Sequence, residues 1–300
     1  MRKHKSLIAG HSTLFLLAPY GILFVLFIIV PVIMAIGLSF CYYNTIEMPS
    51  FNGFSNYLYL FTNDDIFMQY VLPNTFVYAI WVGLGGYVLA FFLAWMLSQI
   101  TKVPRTILAV IIYSPSMTGS ILISTVWRVI FNGDKSGYLN YILMKFNLID
   151  SPIVWLSSKE YLLTIMIIVS LWSSMGIGFL SMLSGILNVN EELYEAAYID
   201  GVKNRFQEII YVTIPSAKPQ MLFGAIMSVV NTFQSSGVGV VLSGANPTPG
   251  YAGQLIVTHI EDYGFLRYEM GYASAVSVVL LLLIWLMSNG VKRVLGSADE

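Results

Sequence analysis

The sequence predicts an all-α membrane protein with six transmembrane helices. Hydrophobic residues make up 57% of the chain and charged residues 10%, and the mean hydropathy is +0.73, which lies outside the range of soluble domains. Six apolar segments are each long enough to cross a hydrocarbon core ~30 Å thick, and the short alternating segments of a membrane barrel are missing, so we expect helices. The segments are residues 14–40, 73–100, 105–131, 161–187, 217–242 and 271–295.

The first segment follows a short basic stretch with Arg2, Lys3 and Lys5, which resembles the start of a signal peptide. The apolar region of a signal peptide has ~7–15 residues. Residues 14–40 exceed that length and can cross the bilayer along a tilted path. We therefore expect this segment to be retained as the first span.

Lys and Arg are unequally divided between the two sets of connecting segments. With the N-terminus inside, ten of them lie on the cytoplasmic side and four outside, and Arg128 lies near a helix end. Cytoplasmic segments of membrane proteins carry an excess of these residues. The distribution predicts that both termini are cytoplasmic.

Residues that carry chemistry are scattered along the chain. Cys41 is the only cysteine, and His4, His11 and His259 are far apart, so no disulfide and no metal site are predicted. The sequence shows no nucleophile with a nearby base, which argues against an intramembrane enzyme. It also shows no phosphate-binding GxxxxGK loop, which argues against ATP hydrolysis by this chain. The net charge of -1 offers no basic field for nucleic acid.

Residues 188–218, between the fourth and fifth segments, carry eight charges that cannot lie in lipid. Asn190 can cap a helix with an acidic first turn, and Gly201 can close that helix in a left-handed conformation. A second apolar stripe follows and is expected to end at Pro215. Its members are Phe206, Ile209, Ile210 and Ile214. The pattern leaves two interpretations open: a docking element for a cytoplasmic partner, or an amphipathic connector on the membrane surface.

Three short motifs in this connection match the EAA loop of ABC importer permeases. They are Glu195-Ala196-Ala197, Asp200-Gly201 and Ile214-Pro215. The string EELYEAAYIDGVKNRFQEIIYVTIPSAKP resembles the carbohydrate-uptake class, specifically the first of two permeases in maltose-type systems. LPNTF, LSGANPTP and RYEMGYASAVSVVLLLL are similar as well, so the resemblance covers nearly the whole chain. It implies a type I ABC importer permease fold, with residues 1–300 as a single transmembrane domain and residues 188–218 as its cytoplasmic coupling loop.

In these permeases the EAA loop sits in a cleft of the cytoplasmic ATPase and moves rigidly when the ATPase dimer closes on ATP. The resemblance assigns ATPase coupling to Glu195, Ala196, Ala197, Asp200, Gly201 and Pro215. Glu195 would pair with a basic residue of the ATPase, and the alanines would permit close packing. Pro215 lies one residue further from Gly201 than in the family pattern. We expect the extra residue within 202–208, where it would turn the second short helix by roughly 100°.

Polar side chains interrupt the fifth segment, where they are costly unless they meet water or partners. A sugar path needs hydrogen-bonding groups and aromatic faces, and five residues here are candidates. They are Ser228, Asn231, Thr232, Phe233 and Ser235. All except Phe233 match sugar-lining positions of maltose-type permeases. Alternatively, these side chains join helices to one another, and Ser173, Ser174 and Gly176 of the fourth segment fit either interpretation.

The resemblance implies a permease that imports a carbohydrate, which we expect to be an oligosaccharide, by alternating access across a bacterial cytoplasmic membrane. Aromatic positions that maltose-type permeases use in the fourth segment are not aromatic here, which argues against maltose itself. The implied partners are a second permease, an ATPase dimer that binds ATP and Mg, and an extracytoplasmic sugar-binding protein. No cofactor is expected in this chain.

Two other functions stay open. An ion-coupled secondary transporter would usually place acidic residues within the bilayer, whereas all sixteen acidic residues here fall in loops or near the ends of spans. A permease for a glycerol-phosphate compound would be expected to carry basic residues along its path, and the fifth segment has none.

Overall fold

The computed structural model describes residues 16–296, without the side chains of Ser120 and Ile121. The predicted all-α character is confirmed: the strands within this range are the two short partners of one hairpin, Cys41–Tyr42 and Ser50–Phe51. The basic residues before the first span, on which part of the orientation argument rests, lie outside the described residues.

Three uninterrupted helices within residues 16–296 are long and apolar enough to cross a membrane. They are Leu16–Leu38, Phe67–Ser98 and Met270–Leu295, and they correspond to the first, second and sixth predicted segments. π-Helical turns at Val25–Ile29, Phe67–Val71 and Ala79–Leu84 lie within the first two.

The third and fourth predicted segments are helical but broken, an interruption that the sequence analysis did not predict. Lys102–Met117 and Leu122–Ile130 meet at 97°, and Leu162–Ser173 and Ile177–Leu187 meet at 43°. The first break follows Pro115, whose missing N–H weakens the last turn of its helix. If each bent pair counts as one span, the described residues hold up to five spans by length and composition.

The fifth predicted segment is also interrupted. Its main part is the helix Lys218–Phe233, called here the cavity helix, which is shorter than the ~20 residues of a usual span. Gly237 then adopts a left-handed conformation with φ of +69°, and a short helix, Val238–Ser243, follows. The six predicted segments are thus all helical, but three of them are interrupted.

The remaining elements are short. The α-helices among them are Ser55–Thr62, Ser120–Ile130 (the second arm of the first bent pair), Tyr138–Lys145, Glu191–Ile199, Arg205–Glu208, Ile214–Ser216 and Ile256–Glu261. π-Helical turns occupy Ile209–Thr213 and Asp262–Leu266, and a 3-10 turn occupies Pro249–Tyr251.

The described chain divides into two compact units. One holds the chain up to Asn63 together with Ile260–Val279, and the other holds Asp64–His259 and the chain from Leu280 onward. Among the described residues, the second unit holds one apolar core around Leu162 and Met166 and another around Phe179 and Met182. All predicted functional residues lie in this second unit.

Candidate functional site

The helix Glu191–Ile199, called here the docking helix, begins as predicted. The Asn190 side-chain oxygen accepts a hydrogen bond from the Glu192 N–H at 3.2 Å, and Glu191 and Glu192 occupy the first turn. The cap satisfies a backbone donor that the helix leaves free, and the carboxylates face the positive end of the helix dipole. The docking helix therefore carries its own start signal in a polar, exposed loop.

Gly201 ends the docking helix in the predicted left-handed conformation, with φ of +97°. The Val202 N–H donates to the Ala197 carbonyl at 3.0 Å, and the Gly201 N–H donates to the Tyr198 carbonyl at 3.2 Å. This pair of bonds is the Schellman motif, which satisfies the last carbonyls of a helix. Asp200, the residue before the glycine, caps the helix and is exposed.

A second helical run, residues 205–216, follows and is called here the second loop helix. Its start was not predicted: the Asn204 side chain accepts from the Gln207 N–H at 2.9 Å, while the Gln207 side chain accepts from the Lys203 N–H at 2.9 Å. This reciprocal arrangement resembles a capping box. The N-x-x-Q spacing in the sequence was the available signal.

The prediction that the second stripe ends at Pro215 is wrong by a short margin. The run continues through Ile214–Ser216, and the chain turns at the buried Ala217 before the cavity helix begins at Lys218. Pro215 lies in the last turn of this run, directly after the π-helical turn Ile209–Thr213, and the helical conformation ends one residue beyond it at Ser216.

A π-helical turn, Ile209–Thr213, lies in the middle of the second loop helix. Such a turn holds one residue more than an α-helical turn, because its hydrogen bonds join residues five apart. The extra residue was expected within 202–208. The π-helical turn Ile209–Thr213, which directly follows residues 202–208, accommodates one additional residue within the helix.

The docking helix exposes the residues that a partner would meet. Glu195 and Ala196 are exposed and Ala197 is half-buried. Two apolar neighbours extend the same exposed surface: Ile199 is 87% exposed and Leu193 is 48% exposed. Sequence reasoning missed both, although large apolar side chains in a highly charged segment were a visible signal. Apolar exposure around a carboxylate is typical of a protein-binding surface.

Glu208 joins the two loop helices. Its carboxylate accepts the Tyr198 hydroxyl at 2.9 Å and one Arg205 guanidinium nitrogen at 2.9 and 2.7 Å. Donation to Glu208 raises the pKa of Tyr198 above its ordinary value of 10.0 and likewise raises the pKa of Arg205. Because both pKa values are raised, the stability that each group contributes is fully present below its ordinary pKa and is lost only as the pH rises through the raised pKa. Both donors therefore keep their protons through neutral pH.

The second unit also contains a partly open cavity of about 670 Å³. Parts of six helices line it: Phe67–Ser98, Lys102–Met117, both arms of the second bent pair, the cavity helix, and the first residue of Val238–Ser243. Hydroxyl and amide groups dominate its polar lining. They belong to Tyr78, Tyr87, Tyr113, Ser116, Ser170, Ser173, Ser174, Ser228, Asn231, Thr232, Ser235 and Ser236. The lining residues, all within the described range, include no charged side chain.

Four of the five predicted path residues line this cavity, and their hydrogen bonds differ. Ser228 donates to the Gly83 carbonyl at 2.7 Å and Thr232 donates to the Ser228 carbonyl at 2.7 Å, so both hydroxyls are engaged by helices. Ser235 lies 3.1 Å from the Tyr78 hydroxyl. Asn231 is exposed, and its side chain has no hydrogen-bond partner among residues 16–296. Asn231 is therefore the member that is free to contact a solute.

Phe233, the fifth predicted path residue, does not line the cavity. Its ring is 2% exposed and packs against Phe76 at a centroid distance of 6.3 Å. The structure instead places three tyrosines at the cavity, including Tyr78, whose hydroxyl donates to Ser170 at 2.8 Å. The small residues Ser173, Ser174 and Gly176, which lie at the break in the fourth segment, line the cavity as well.

The family model for "binding-protein-dependent transport system inner membrane component" matches residues 86–296, which include the coupling loop, the cavity helix and both arms of the second bent pair. The chain belongs to this family. It is therefore a transport permease subunit, as the sequence predicted.

Relatives of this permease subunit are transport proteins. It is 31% identical to the arabinooligosaccharides transport system permease protein AraP of Bacillus subtilis over 93% of this chain and 87% of that protein. It is 28% identical to the lactose transport system permease protein LacF of Rhizobium radiobacter over 90% of this chain and 89% of that protein.

Solved structures match the fold of this permease. A chain from a bacterial ABC transporter involved in the import of the acidic polysaccharide alginate superposes with a TM-score of 0.77 and 24% identity, covering 99% of this chain and 100% of that one. A second structure, of the bacterial alginate ABC transporter in complex with an alginate pentasaccharide-bound periplasmic protein, gives a TM-score of 0.80 at 22% identity, with 99% of both chains covered. The type I permease fold is thus confirmed.

Proposed function

We propose that this permease is one of two membrane subunits of an ATP-driven importer that carries an uncharged oligosaccharide into the cytoplasm. The observation that carries the proposal is the chemistry of the 670 Å³ cavity, which is lined by hydroxyls, one amide and tyrosine rings. Sugars offer many hydroxyl groups and apolar ring faces, which such a lining matches. The arabino-oligosaccharide and lactose permeases among its relatives support the same substrate class.

Asn231 is the side chain proposed to contact the sugar directly. Its amide offers two donors and one acceptor, and no group within the described residues occupies them. Ser235 shares its hydroxyl with Tyr78 and can offer a second contact. Ser228 and Thr232 are proposed to shape the wall, because their hydroxyls already join helix backbones.

The lining favours an uncharged solute over a phosphorylated one or an ion. A phosphate group crossing a low-dielectric region needs cationic partners, and an ion-coupled carrier needs carboxylates at membrane depth. The part of the path described here supplies hydroxyl and amide groups. These pair with neutral hydroxyls without a large desolvation penalty.

The docking helix is proposed to couple this path to a cytoplasmic ATPase that binds ATP and Mg. Glu195 and Ala196 are exposed, and the Gly201 turn directs the chain into the second loop helix. Closure of the ATPase would favour one state of the permease only if the two states bind the ATPase with different affinity. An external sugar-binding protein would deliver the solute, and both termini would lie in the cytoplasm.

The proposal is tested by uptake of neutral oligosaccharides into proteoliposomes that contain the complete transporter, with Asn231→Ala compared with Gln234→Ala. Gln234 is an exposed amide three residues further along that does not line the cavity. Loss of one sugar hydrogen bond predicts about three- to tenfold weaker apparent affinity for Asn231→Ala and no change for Gln234→Ala. Equal apparent affinities in the two variants would place the sugar path elsewhere. Uptake without ATP would refute the proposal of an ATP-driven importer.

A further inference from the structure

The docking helix is attached to the second loop helix by two tyrosines. Tyr194 and Tyr198 are four residues apart and so lie on the same helix face, one turn from each other. The Tyr198 hydroxyl donates to the Glu208 carboxylate at 2.9 Å, and the Tyr194 hydroxyl lies 3.2 Å from the Thr213 hydroxyl. Both tyrosines therefore contact the same neighbouring helix.

Glu208 is held firmly in this contact. Its side chain is only 6% exposed, and a buried carboxylate is costly unless donors surround it. Tyr198 and Arg205 supply three hydrogen bonds at 2.7–2.9 Å. Losing one donor leaves part of that cost uncompensated, so the arrangement resists opening.

Thr213 connects the second tyrosine to the backbone of the π-helical turn. Its hydroxyl lies 3.4 Å from the Glu208 carbonyl and so can donate to that carbonyl while accepting from Tyr194. The Ala217 N–H then donates to the Thr213 carbonyl at 2.9 Å, and the Ala217 carbonyl accepts the Met221 N–H at 3.0 Å. Hydrogen bonds thus run without a gap from the tyrosines into the cavity helix.

We propose that Tyr194, Tyr198, Glu208 and Thr213 form a clamp that transmits displacement of the docking helix to the cavity helix. The inference rests on the proposed function, because it assumes that the docking helix is moved by an ATPase. Without these contacts, backbone rotation at Gly201 and the exposed residues around it would let the two loop helices move independently. With the clamp closed the two helices move as one body, and Asn231 lies on the helix into which they continue.

These four are positioning residues, since none of them lines the cavity. Tyr198 is itself 50% exposed, but its hydroxyl and that of Tyr194 bond to the second loop helix, so removing the two hydroxyls leaves the exposed Glu195 and Ala196 unchanged. The clamp therefore predicts a separation of two activities. ATP hydrolysis and assembly should persist when it is opened, while the amount of sugar moved per ATP should fall.

The test uses the complete transporter in proteoliposomes, with sugar uptake and ATP hydrolysis measured on the same sample. The variant is Tyr194→Phe with Tyr198→Phe, which removes two hydroxyls and little volume. Its matched control is Tyr211→Phe, because Tyr211 lies in the second loop helix, is 67% exposed and forms no hydroxyl bond within the described residues. We expect the sugar-to-ATP ratio to fall about three- to tenfold in the double variant and to stay unchanged in the control.

An unchanged ratio in a double variant that assembles would overturn the clamp. If that variant does not assemble, Thr213→Val is compared with Thr213→Ser, since valine keeps the shape and loses the hydroxyl, and serine keeps the hydroxyl. A lower ratio for valine alone supports the clamp, and equal ratios overturn it. Failure of the wild-type transporter to couple sugar uptake to ATP would instead refute the proposed function.

Discussion

At the residue scale, Gly201 has a backbone conformation that other residues adopt only with strain. Its φ is +97°, although a Cβ would meet no atom within 4 Å. Gly201→Ala is therefore expected to destabilise the loop through its backbone alone, by about 1–2 kcal/mol, and Gly201→Asn by less, because asparagine tolerates positive φ better. Sugar-stimulated ATP hydrolysis by the complete transporter measures the effect.

Gly290→Ala is the control for this change. Gly290 lies in the helix Met270–Leu295 and also has no atom within 4 Å of its Cβ position, but it lacks the positive φ. Sugar-stimulated ATP hydrolysis should therefore be retained in Gly290→Ala. If both alanine variants lose stimulation equally, backbone strain at Gly201 is not the cause.

Single residues of the loop were predictable where a backbone rule fixes them. Asn190 and Gly201 were predicted from their positions beside a charged helical pattern, and the structure confirms both. Tyr198 and Glu208 were not paired in the prediction, because their contact depends on how the chain folds back after the turn. Phe233 was assigned to the path by residue type, whereas its helix face turns it into the core.

At the element scale, the fourth-segment helix Ile177–Leu187 packs closely against the cavity helix through glycines. A Cβ at Gly178 would lie 3.3 Å from the Gly224 backbone, and a Cβ at Gly185 would lie 2.8 Å from the Gln220 side chain. Small residues allow such approach between membrane helices. Gly178→Leu is expected to force the helices apart and to lower stability by about 1–3 kcal/mol.

The thermal midpoint of the detergent-purified permease measures this loss, with Gly37→Leu as the control. Gly37 lies in the helix Leu16–Leu38 and has no atom within 4 Å of its Cβ position. A lower midpoint for Gly178→Leu alone would support close packing at the cavity helix. A similar drop in both variants would show that leucine itself is harmful at helical glycines of this protein.

The positions of the helical segments were predictable, but their continuity was not, and the described residues hold up to five spans where six were predicted. Hydropathy averages over a window as long as a span, so it detects residues 105–131 and 161–187 and does not resolve their breaks. Pro115 signalled the first break, yet proline also occurs within membrane helices, and the sequence alone does not separate the two cases. The breaks matter because Ser173, Ser174 and Gly176 line the cavity at one of them.

At the scale of the whole molecule, the fold was predictable because a few motifs identified the family, and the family fixes the fold. The cavity was predictable only in part. Its fifth-segment residues follow from one sequence pattern, whereas Tyr78, Tyr113 and Ser170 reach it from three other helices. Which of several polar side chains keeps free hydrogen-bonding groups depends on neighbours that the sequence does not place, as Asn231 and Ser228 show.

Orientation in the membrane is a property of the whole chain, and the excess of Lys and Arg on one side predicts cytoplasmic termini. Because Cys41 is the only cysteine, a Cys41→Ser background allows single probes. Ile46 in the hairpin and Ile199 in the coupling loop are 88% and 87% exposed, so they form a matched pair. In that background, Ile46→Cys should react with a membrane-impermeant thiol reagent in right-side-out vesicles, and Ile199→Cys only in inside-out vesicles. Added ATPase should protect only the second, because docking covers it. Labelling of both from the same side would contradict the orientation, and unprotected Ile199→Cys with bound ATPase would contradict docking at this helix.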